Sequence, residues 1–259
     1  MKQPLAYIHP AAKIASSVVI DPFVTIDQNV EIGEGTRILS GATILEGARI
    51  GRNCTIFPGA VVGAIPQDLK FRGEDTVAII GDNTTLRECV TVNRGTAAKG
   101  KTVVGSNCLI MAYSHVAHDC VVGDNVIISN ATQLAGEVVV DNFAVIGGGT
   151  LVHQFCHIGA HVMVQGGALI NKDLPPYIKA ARDPIAYTGI NSVGLRRRGF
   201  SSETIRDIQE IYRYIYMSSL NVSDAVERIE AELPATDERD EVLQFIRNSK
   251  RGILRGYFN

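Results

Sequence analysis

An isoleucine, leucine or valine recurs at every sixth residue along most of this chain. From Ile8 the step gives Ile14, Ile20, Ile26, Ile32, Ile38, Ile44, Ile50, Ile56 and Val62. The frame resumes at Ile80, Leu86 and Val92. It resumes again at Val104 and runs through Ile110, Val116, Val122, Ile128, Leu134, Val140, Ile146, Val152, Ile158 and Val164 to Ile170. An α-helix would repeat every 3.6 residues and a half-buried strand every two, and neither produces a strict six. A hexapeptide solenoid does: each hexad supplies a short strand and a turn, and its large aliphatic side chain points inward.

The residue two before each aliphatic should also point inward along a strand. It is small almost throughout: Ala12, Val18, Val24, Val30, Thr36, Ala42, Ala48, Cys54 and Ala60, and later Cys108, Ser114, Cys120, Val126, Thr132, Ala144, Thr150, Cys156 and Ala168. A narrow prism requires this. Four of the five cysteines fall on the lattice, which makes them core fillers rather than nucleophiles or metal ligands. An odd number of cysteines in a chain of 259 residues also argues against a disulfide framework and for a reducing cytoplasm. The N-terminal stretch MKQPLAYIHP has no apolar signal-peptide core, and no run approaches the length of a membrane span. A net charge of −2 gives no global attraction to nucleic acid or an anionic membrane.

The frame fails only at Asp68, Glu74 and Ala98, inside the polar, turn-rich stretches AIPQDLKFRGED and RGTAAKG. These read as loops leaving the coil. After Asn171 the frame dissolves through KDLPPY and ARDPIAY. A helical appendage then begins near Ser201, where Ile205, Ile208, Ile211, Tyr212 and Ile215 follow helical spacing. Further helices are expected near Asn221 and Thr236, where capping residues precede apolar periodicity. The division expected is a coiled domain over 1–190 and a helical domain over 191–259. Arg196, Arg197 and Arg198 just before the appendage are either a solvated charge run or a seat for phosphate or an acidic protein.

His115, His118 and Asp119 form the one place where two histidines three residues apart adjoin a carboxylate. A positioned neutral imidazole can take a proton from a hydroxyl, and a carboxylate beside it fixes the tautomer and stabilises the imidazolium. If three hexads make one coil, residues eighteen apart stack at about 4.8 Å. His118 then lies below Gly136, Gly136 below Gln154, and Asp119 below Glu137. None of these is on an inward phase, so all are expected at the outer surface, with His153 on the same edge. A glycine there leaves its amide open to a ligand as an oxyanion donor. His9, His157 and His161 lack such company and read as surface or interface residues.

The motifs IGEGT (32–36), QDLK (67–70), RECVTVNRGT (87–96), HVAHDC (115–120), LAG (134–136), VHQFCHIGAHVMV (152–164) and GLRRRGF (194–200) together resemble the UDP-N-acetylglucosamine O-acyltransferase family of lipid A biosynthesis. The resemblance spans nearly the whole chain. It implies a left-handed parallel β-helix with a C-terminal α-helical domain, an exception to the right-handed crossover rule. It also implies a cytoplasmic homotrimer with its site in the cleft between subunits, acyl carrier protein as acyl donor, UDP-N-acetylglucosamine as acceptor, and no metal or other cofactor. Position by position, the family's general base matches His118, its supporting carboxylate Asp119 and its oxyanion amide Gly136. Its substrate contacts match Asp68, Lys70, His115, His153, Gln154, Asn191, Arg197 and Arg198, and its acyl-chain ruler matches Met163 and Gly166. Glu137 and Val193 depart from the pattern, standing where the best-known relatives have a histidine and a glutamate.

The reaction so implied is direct acyl transfer, without an acyl-enzyme, onto the sugar 3-hydroxyl. Three other readings start from the same residues. One is the N-acyltransferase of the same pathway, which usually carries a domain before its coils. Another is a zinc hydratase of the γ-carbonic anhydrase type enlisting His115, His118 and His153, which metal analysis of the purified protein would decide. The third is a non-catalytic scaffold using the arginines and the polar loops as partner surfaces.

Overall fold

A computed structural model describes residues 5–256; residues 257–259, and residues 1–4 of the stretch read as lacking a signal-peptide core, lie outside the described residues. The chain winds as a left-handed parallel β-helix followed by helices. Successive hexads contribute to three sheets in turn, of nine, eight and ten described strands, and as far as Leu169–Ile170 each sheet takes every third strand. Most strands are two residues long, as in Thr25–Ile26 and Glu31–Ile32, with one side chain out and one buried. The inward aliphatics are sealed, with Ile38, Ile44, Ile56, Val116 and Leu134 all at 0% exposure.

The small inward column is buried as well, and its polar members satisfy themselves on the backbone. Thr36 and Thr84 donate to Gly51 O and Gly105 O at 2.8 and 2.7 Å. The Cys54 and Cys120 thiols point at Gly81 O and Ala135 O, each at 3.1 Å. Burial pushes the Cys120 thiol up to about 12, which removes it as a nucleophile at neutral pH. Of the glycines that follow the aliphatics, Gly63 takes the positive φ of a turn, at 90°, but Gly33, Gly51, Gly81, Gly105 and Gly123 do not. A Cβ at Gly33 would stand 2.8 Å from the Gly51 backbone, and one at Gly105 would stand 2.5 Å from Gly123 O. Close stacking of coils along one corner excludes any side chain there.

Within the regular part, strands pair eighteen residues apart, as His115 with Gln133 and Val116 with Leu134. Across the two interruptions the partners lie thirty and twenty-four residues apart, as Val61 with Thr91 and Thr91 with His115. The interruptions therefore add twelve and six residues, which preserves the six-residue frame while breaking the eighteen-residue stack. Both leave and return at one corner, between Val61–Ala64 and Val77–Ile80 and between Thr91–Asn93 and Lys101–Val104. That corner joins the nine-stranded to the eight-stranded sheet, and residues 117–120 turn at the same corner one coil later.

The coil closes with Ile178–Ala181, parallel to Met163–Val164 and antiparallel to Ala186–Ile190. Four helices follow among the described residues: α1 Ser192–Arg197, α2 Ser202–Met217, α3 Val222–Glu232 and α4 Asp237–Asn248. Ser201, Asn221 and Thr236 cap the last three, each accepting a backbone N–H through its side chain, as their sequence positions suggest. The short α1, capped by Asn191, and the closing antiparallel pair carry no periodicity that sequence reading could use. Tyr212 and Tyr216 anchor α2 to the last coils, donating to Pro176 O at 2.6 Å and Leu254 O at 2.8 Å.

His161, read as a surface or interface residue, is instead packed among rings. It stacks on Phe143 at 4.9 Å and Tyr177 at 5.6 Å, with Phe200 edge-on at 5.1 Å, and its Nδ1 is buried without a partner. Burial, reinforced by the Arg198 charge, brings its pKa down to about 4. The unfolded chain, with an ordinary histidine near 6.5, binds that proton more tightly, so stability is expected to fall as pH drops from about 6.5 toward 4. The loss should approach about 3 kcal/mol. Denaturant titrations across that range check this, and His161→Phe should flatten the dependence.

Candidate active site

The corner that carries both interruptions also stacks His118, Gly136 and Gln154, in register through Val116, Leu134 and Val152. The His118 ring lies flat against Gly136: a Cβ there would stand 2.5 Å from Cε1 and 2.6 Å from Nε2 of the imidazole. Glycine is thus required for the ring to occupy this place. Among the described residues the Gly136 N–H has no hydrogen-bond partner, while its carbonyl accepts from Phe155 N–H. His118 Nδ1 sits 2.9 Å from Asp119 Oδ2, and its side chain is 12% exposed.

Asp119 corrects one expectation from the lattice. Its side chain is not at the outer surface but at 0% exposure, because the 94–102 segment folds over it. Thr96 N–H donates to Oδ1 at 2.9 Å and the Thr96 hydroxyl to Oδ2 at 2.6 Å. Burial pushes this carboxyl up, but the hydrogen bonds from Thr96 and His118 outweigh it and hold the pKa below the ordinary aspartate value. With the carboxylate ionised and accepting, His118 carries its hydrogen on Nδ1 and presents the Nε2 lone pair outward. Asp119 adopts φ 60°, the left-handed region, as does Glu137 one coil above.

His115 lies one turn from this pair, with Nδ1 2.7 Å from Thr91 Oγ1. Burial, with the nearby His118, lowers its pKa and keeps it neutral. Gln154 O accepts from His153 Nδ1–H at 3.0 Å and from Arg251 at 3.2 Å, while the His153 side chain is exposed beside it. Glu137 turns its carboxylate toward Lys99 at 4.0 Å, and Val193 is exposed on α1. Arg196 and Arg197 are exposed, with Lys179 on a neighbouring strand also exposed. Arg198 is engaged, donating to Phe143 O at 2.8 Å and lying 5.4 Å over the Phe143 ring. The Asn191 side chain is buried, donating to His161 O at 2.9 Å and accepting from Gly194 N–H at 3.2 Å.

Other residues singled out from the sequence stand apart within the chain. Asp68 and Lys70 lie on the first interruption, where Asp68 Oδ1 accepts the Lys70 N–H at 2.9 Å and Lys70 is exposed. Met163 lies in strand Met163–Val164 of the ten-stranded sheet, and Gly166 on the corner that leads from it into the nine-stranded one, away from the His118 corner. One cavity of about 810 Å³ lies against Lys13, Glu31, Arg49 and Asp82, and another of about 470 Å³ between Tyr187 and Tyr216; neither touches His118. Sequence reading missed Thr91, Thr96 and Lys99, which all come from the coil containing the second interruption. The one signal available was that this break immediately precedes the histidine coil.

The family model described as "Udp N-acetylglucosamine O-acyltransferase; Domain 2" matches residues 173–254, and the bacterial transferase hexapeptide model matches 101–136. The acyl-(acyl-carrier-protein)–UDP-N-acetylglucosamine O-acyltransferase of Chlorobaculum parvum is 53% identical over 96% of this chain and 95% of its own. Among solved structures, the UDP-N-acetylglucosamine acyltransferase of Bacteroides fragilis superposes with a TM-score of 0.97 at 58% identity, covering 98% of this chain and 100% of that one. The Francisella novicida UDP-N-acetylglucosamine acyltransferase superposes at 0.96 with 40% identity, covering 99% and 95%.

Proposed function

The chain belongs to the UDP-N-acetylglucosamine O-acyltransferase family, and from that premise we propose that it carries a long 3-hydroxyacyl chain from acyl carrier protein to the 3-hydroxyl of UDP-N-acetylglucosamine, the opening step of lipid A biosynthesis, with His118 as general base. The observation that carries this reading is the His118 imidazole, oriented by a buried carboxylate and laid against an amide free to donate. Nε2 takes the proton of the sugar hydroxyl as its oxygen attacks the thioester carbonyl carbon. The new C–O bond leaves a tetrahedral oxyanion, which the Gly136 N–H stabilises. Collapse breaks the C–S bond, and the imidazolium returns the proton to the leaving thiolate. Asp119 stabilises the imidazolium in between. This chemistry asks for no metal or other cofactor.

Neither of the two cavities described above holds His118, and in this reading the second wall of its site is the neighbouring subunit of a cytoplasmic homotrimer. Asp68, Lys70, His115, His153, Gln154, Asn191, Arg197 and Arg198 then serve the nucleotide-sugar and the donor across that cleft, and Met163 and Gly166 bound the acyl chain. Asn191 acts chiefly by fixing α1, since both ends of its amide are taken. The coiled part over 1–190 carries the chemistry, and the part over 191–259 presents the basic surface. Among the described residues no helix is long and apolar enough to cross a membrane.

The test is acyl transfer to UDP-N-acetylglucosamine from 3-hydroxyacyl carrier proteins of graded length, with oligomeric state measured in the same preparation. A protein inactive with every donor would overturn the reading. Carrier proteins are acidic, so the exposed Arg196 and Arg197 are expected to steer docking. Reversing both to glutamate should raise KM for the acyl donor roughly tenfold and flatten its salt dependence. KM for the sugar is measured alongside, because Arg197 also stands among the substrate contacts. An unchanged donor KM and salt response would return the pair to plain solvated surface.

A further inference from the structure

We infer that Thr96 is a positioning residue for the acid–base pair, and that the 94–102 excursion is a clamp built around Asp119. The inference rests on the reading of His118 as the base and adds a residue to it. Every polar atom of Asp119 is engaged, and apart from His118 every partner comes from that excursion or the residue that ends it. Its N–H donates to Thr102 Oγ1 at 2.8 Å, and its carbonyl accepts from Lys99 Nζ at 3.2 Å. Oδ1 accepts from Thr96 N–H at 2.9 Å. Oδ2 is shared between the Thr96 hydroxyl at 2.6 Å and His118 Nδ1 at 2.9 Å.

The direction of the Thr96 bond is fixed by a second contact. Ala98 N–H donates to Thr96 Oγ1 at 3.1 Å, so the hydroxyl already accepts and its own hydrogen is left for Asp119. Thr96 and Thr102 are both buried, which keeps water from replacing either contact. The excursion is closed tightly enough to hold this geometry. Gly100 N–H donates to Thr96 O at 2.7 Å, and a Cβ at Gly95 would stand 2.2 Å from Lys101 N. Asp119 itself sits in the left-handed region, which aspartate tolerates better than most residues but which still needs support. The clamp supplies that support and leaves one lone-pair direction of Oδ2 for the imidazole.

The second interruption of the hexad frame therefore has a chemical use. It covers a carboxylate that the coil alone would leave in water, and it sets the angle at which that carboxylate meets His118. Removing the hydroxyl takes a donor from the Asp119 carboxylate, so its pKa rises and the ionised form that orients His118 is lost at higher pH. That moves the acid limb of the kcat profile to higher pH.

The experiment compares Thr96→Val, which keeps the shape, with Thr96→Ser, which keeps the hydroxyl, and uses His118→Ala as reference. Thr96→Val is expected to lower kcat about tenfold with both KM values within about twofold, and to shift the acid limb upward. Thr96→Ser should stay near wild type in rate and profile. Wild-type kcat and pH profile in Thr96→Val would overturn the inference. So would equal impairment of the serine and valine variants, which would assign the effect to the lost methyl packing. If Thr96→Val melts below the assay temperature, Thr96→Cys takes its place. Its weak thiol donor should put kcat below that of serine, and equal rates for the two would also overturn the inference. Appreciable activity in His118→Ala would instead defeat the general-base reading, so the two failures are told apart.

Discussion

Replacing His118 with alanine is expected to leave the chain folded and to lower kcat by roughly 10²–10⁴-fold. The ring lies outside the prism, on Gly136, and no inward aliphatic depends on it. Its hydrogen bond to Asp119 is lost, but the carboxylate keeps both contacts to Thr96, and the Asp119 N–H keeps Thr102. Circular dichroism and thermal melting establish folding, and steady-state rates with saturating donor and acceptor establish the loss. More than about a tenth of wild-type turnover would remove His118 from its role. Asp119→Asn is the better companion than Asp119→Ala, because alanine would leave Thr96 N–H and the Thr96 hydroxyl buried and unpaired. Its effect on rate should be the smaller, as Asp119 orients and stabilises without transferring the proton.

The donor preference of the protein is expected to turn over when Gly166 becomes methionine. In the proposed function Gly166 bounds the acyl chain, and a glycine there would leave room for a chain of about the fourteen-carbon class or longer, as the family resemblance implies. Each methylene is worth about 0.8 kcal/mol, roughly fourfold in specificity, so shortening the groove by four carbons costs the long donor about two orders of magnitude. Ten-carbon donors should suffer far less. The coil takes the substitution with a small local shift: φ at Gly166 is not positive, and a Cβ would meet Gly148 O at 3.0 Å, a tight contact relieved by a few tenths of an ångström. Gly148 faces Asn130 O at the same 3.0 Å, and the stacked positions Asn130 and Ala112 already carry side chains. Competition between donors of ten and fourteen carbons measures the shift. An equal loss for every donor would make Gly166 a packing residue, and a wild-type preference for acetyl-CoA would sink the long-chain reading altogether.

The hexad frame is legible in the sequence because each inward aliphatic is an independent reading of the same six-residue step. The stacking of His118 under Gly136 and Gln154 follows from it, since no interruption lies between them. Below His115 the same arithmetic fails. The coil beneath is twenty-four residues away, and nothing periodic announces that Thr91 rather than Ala97 lies under His115. The burial of Asp119 was hidden for a related reason: its cover is Thr96, on a segment whose conformation is set by Gly95, Gly100 and hydrogen bonds rather than by a pattern. His161 is a mixed case. Phe143, eighteen residues before it, could be read from the lattice, whereas Tyr177 and Phe200 arrive from irregular chain after the frame has ended. The longer helices were visible through their caps at Ser201, Asn221 and Thr236. Helix α1 was not, being too short for any period to register.

The single corner that hosts both interruptions has a consequence for how such a chain can vary. Anywhere in the sheets, one added residue would turn every later side chain of its strand to the opposite face, and the prism would not close. At this corner the chain leaves after Ala64 or Asn93 and rejoins at Val77 or Lys101, with the coils above and below already paired. Doubling a loop there costs only about 0.6 kcal/mol in closure entropy. Length changes that a strand would not survive cost the fold little along the very edge where His118 stands. A lineage can thus lengthen, shorten or rewrite what surrounds the reacting groups while the scaffold beneath them is inherited unchanged.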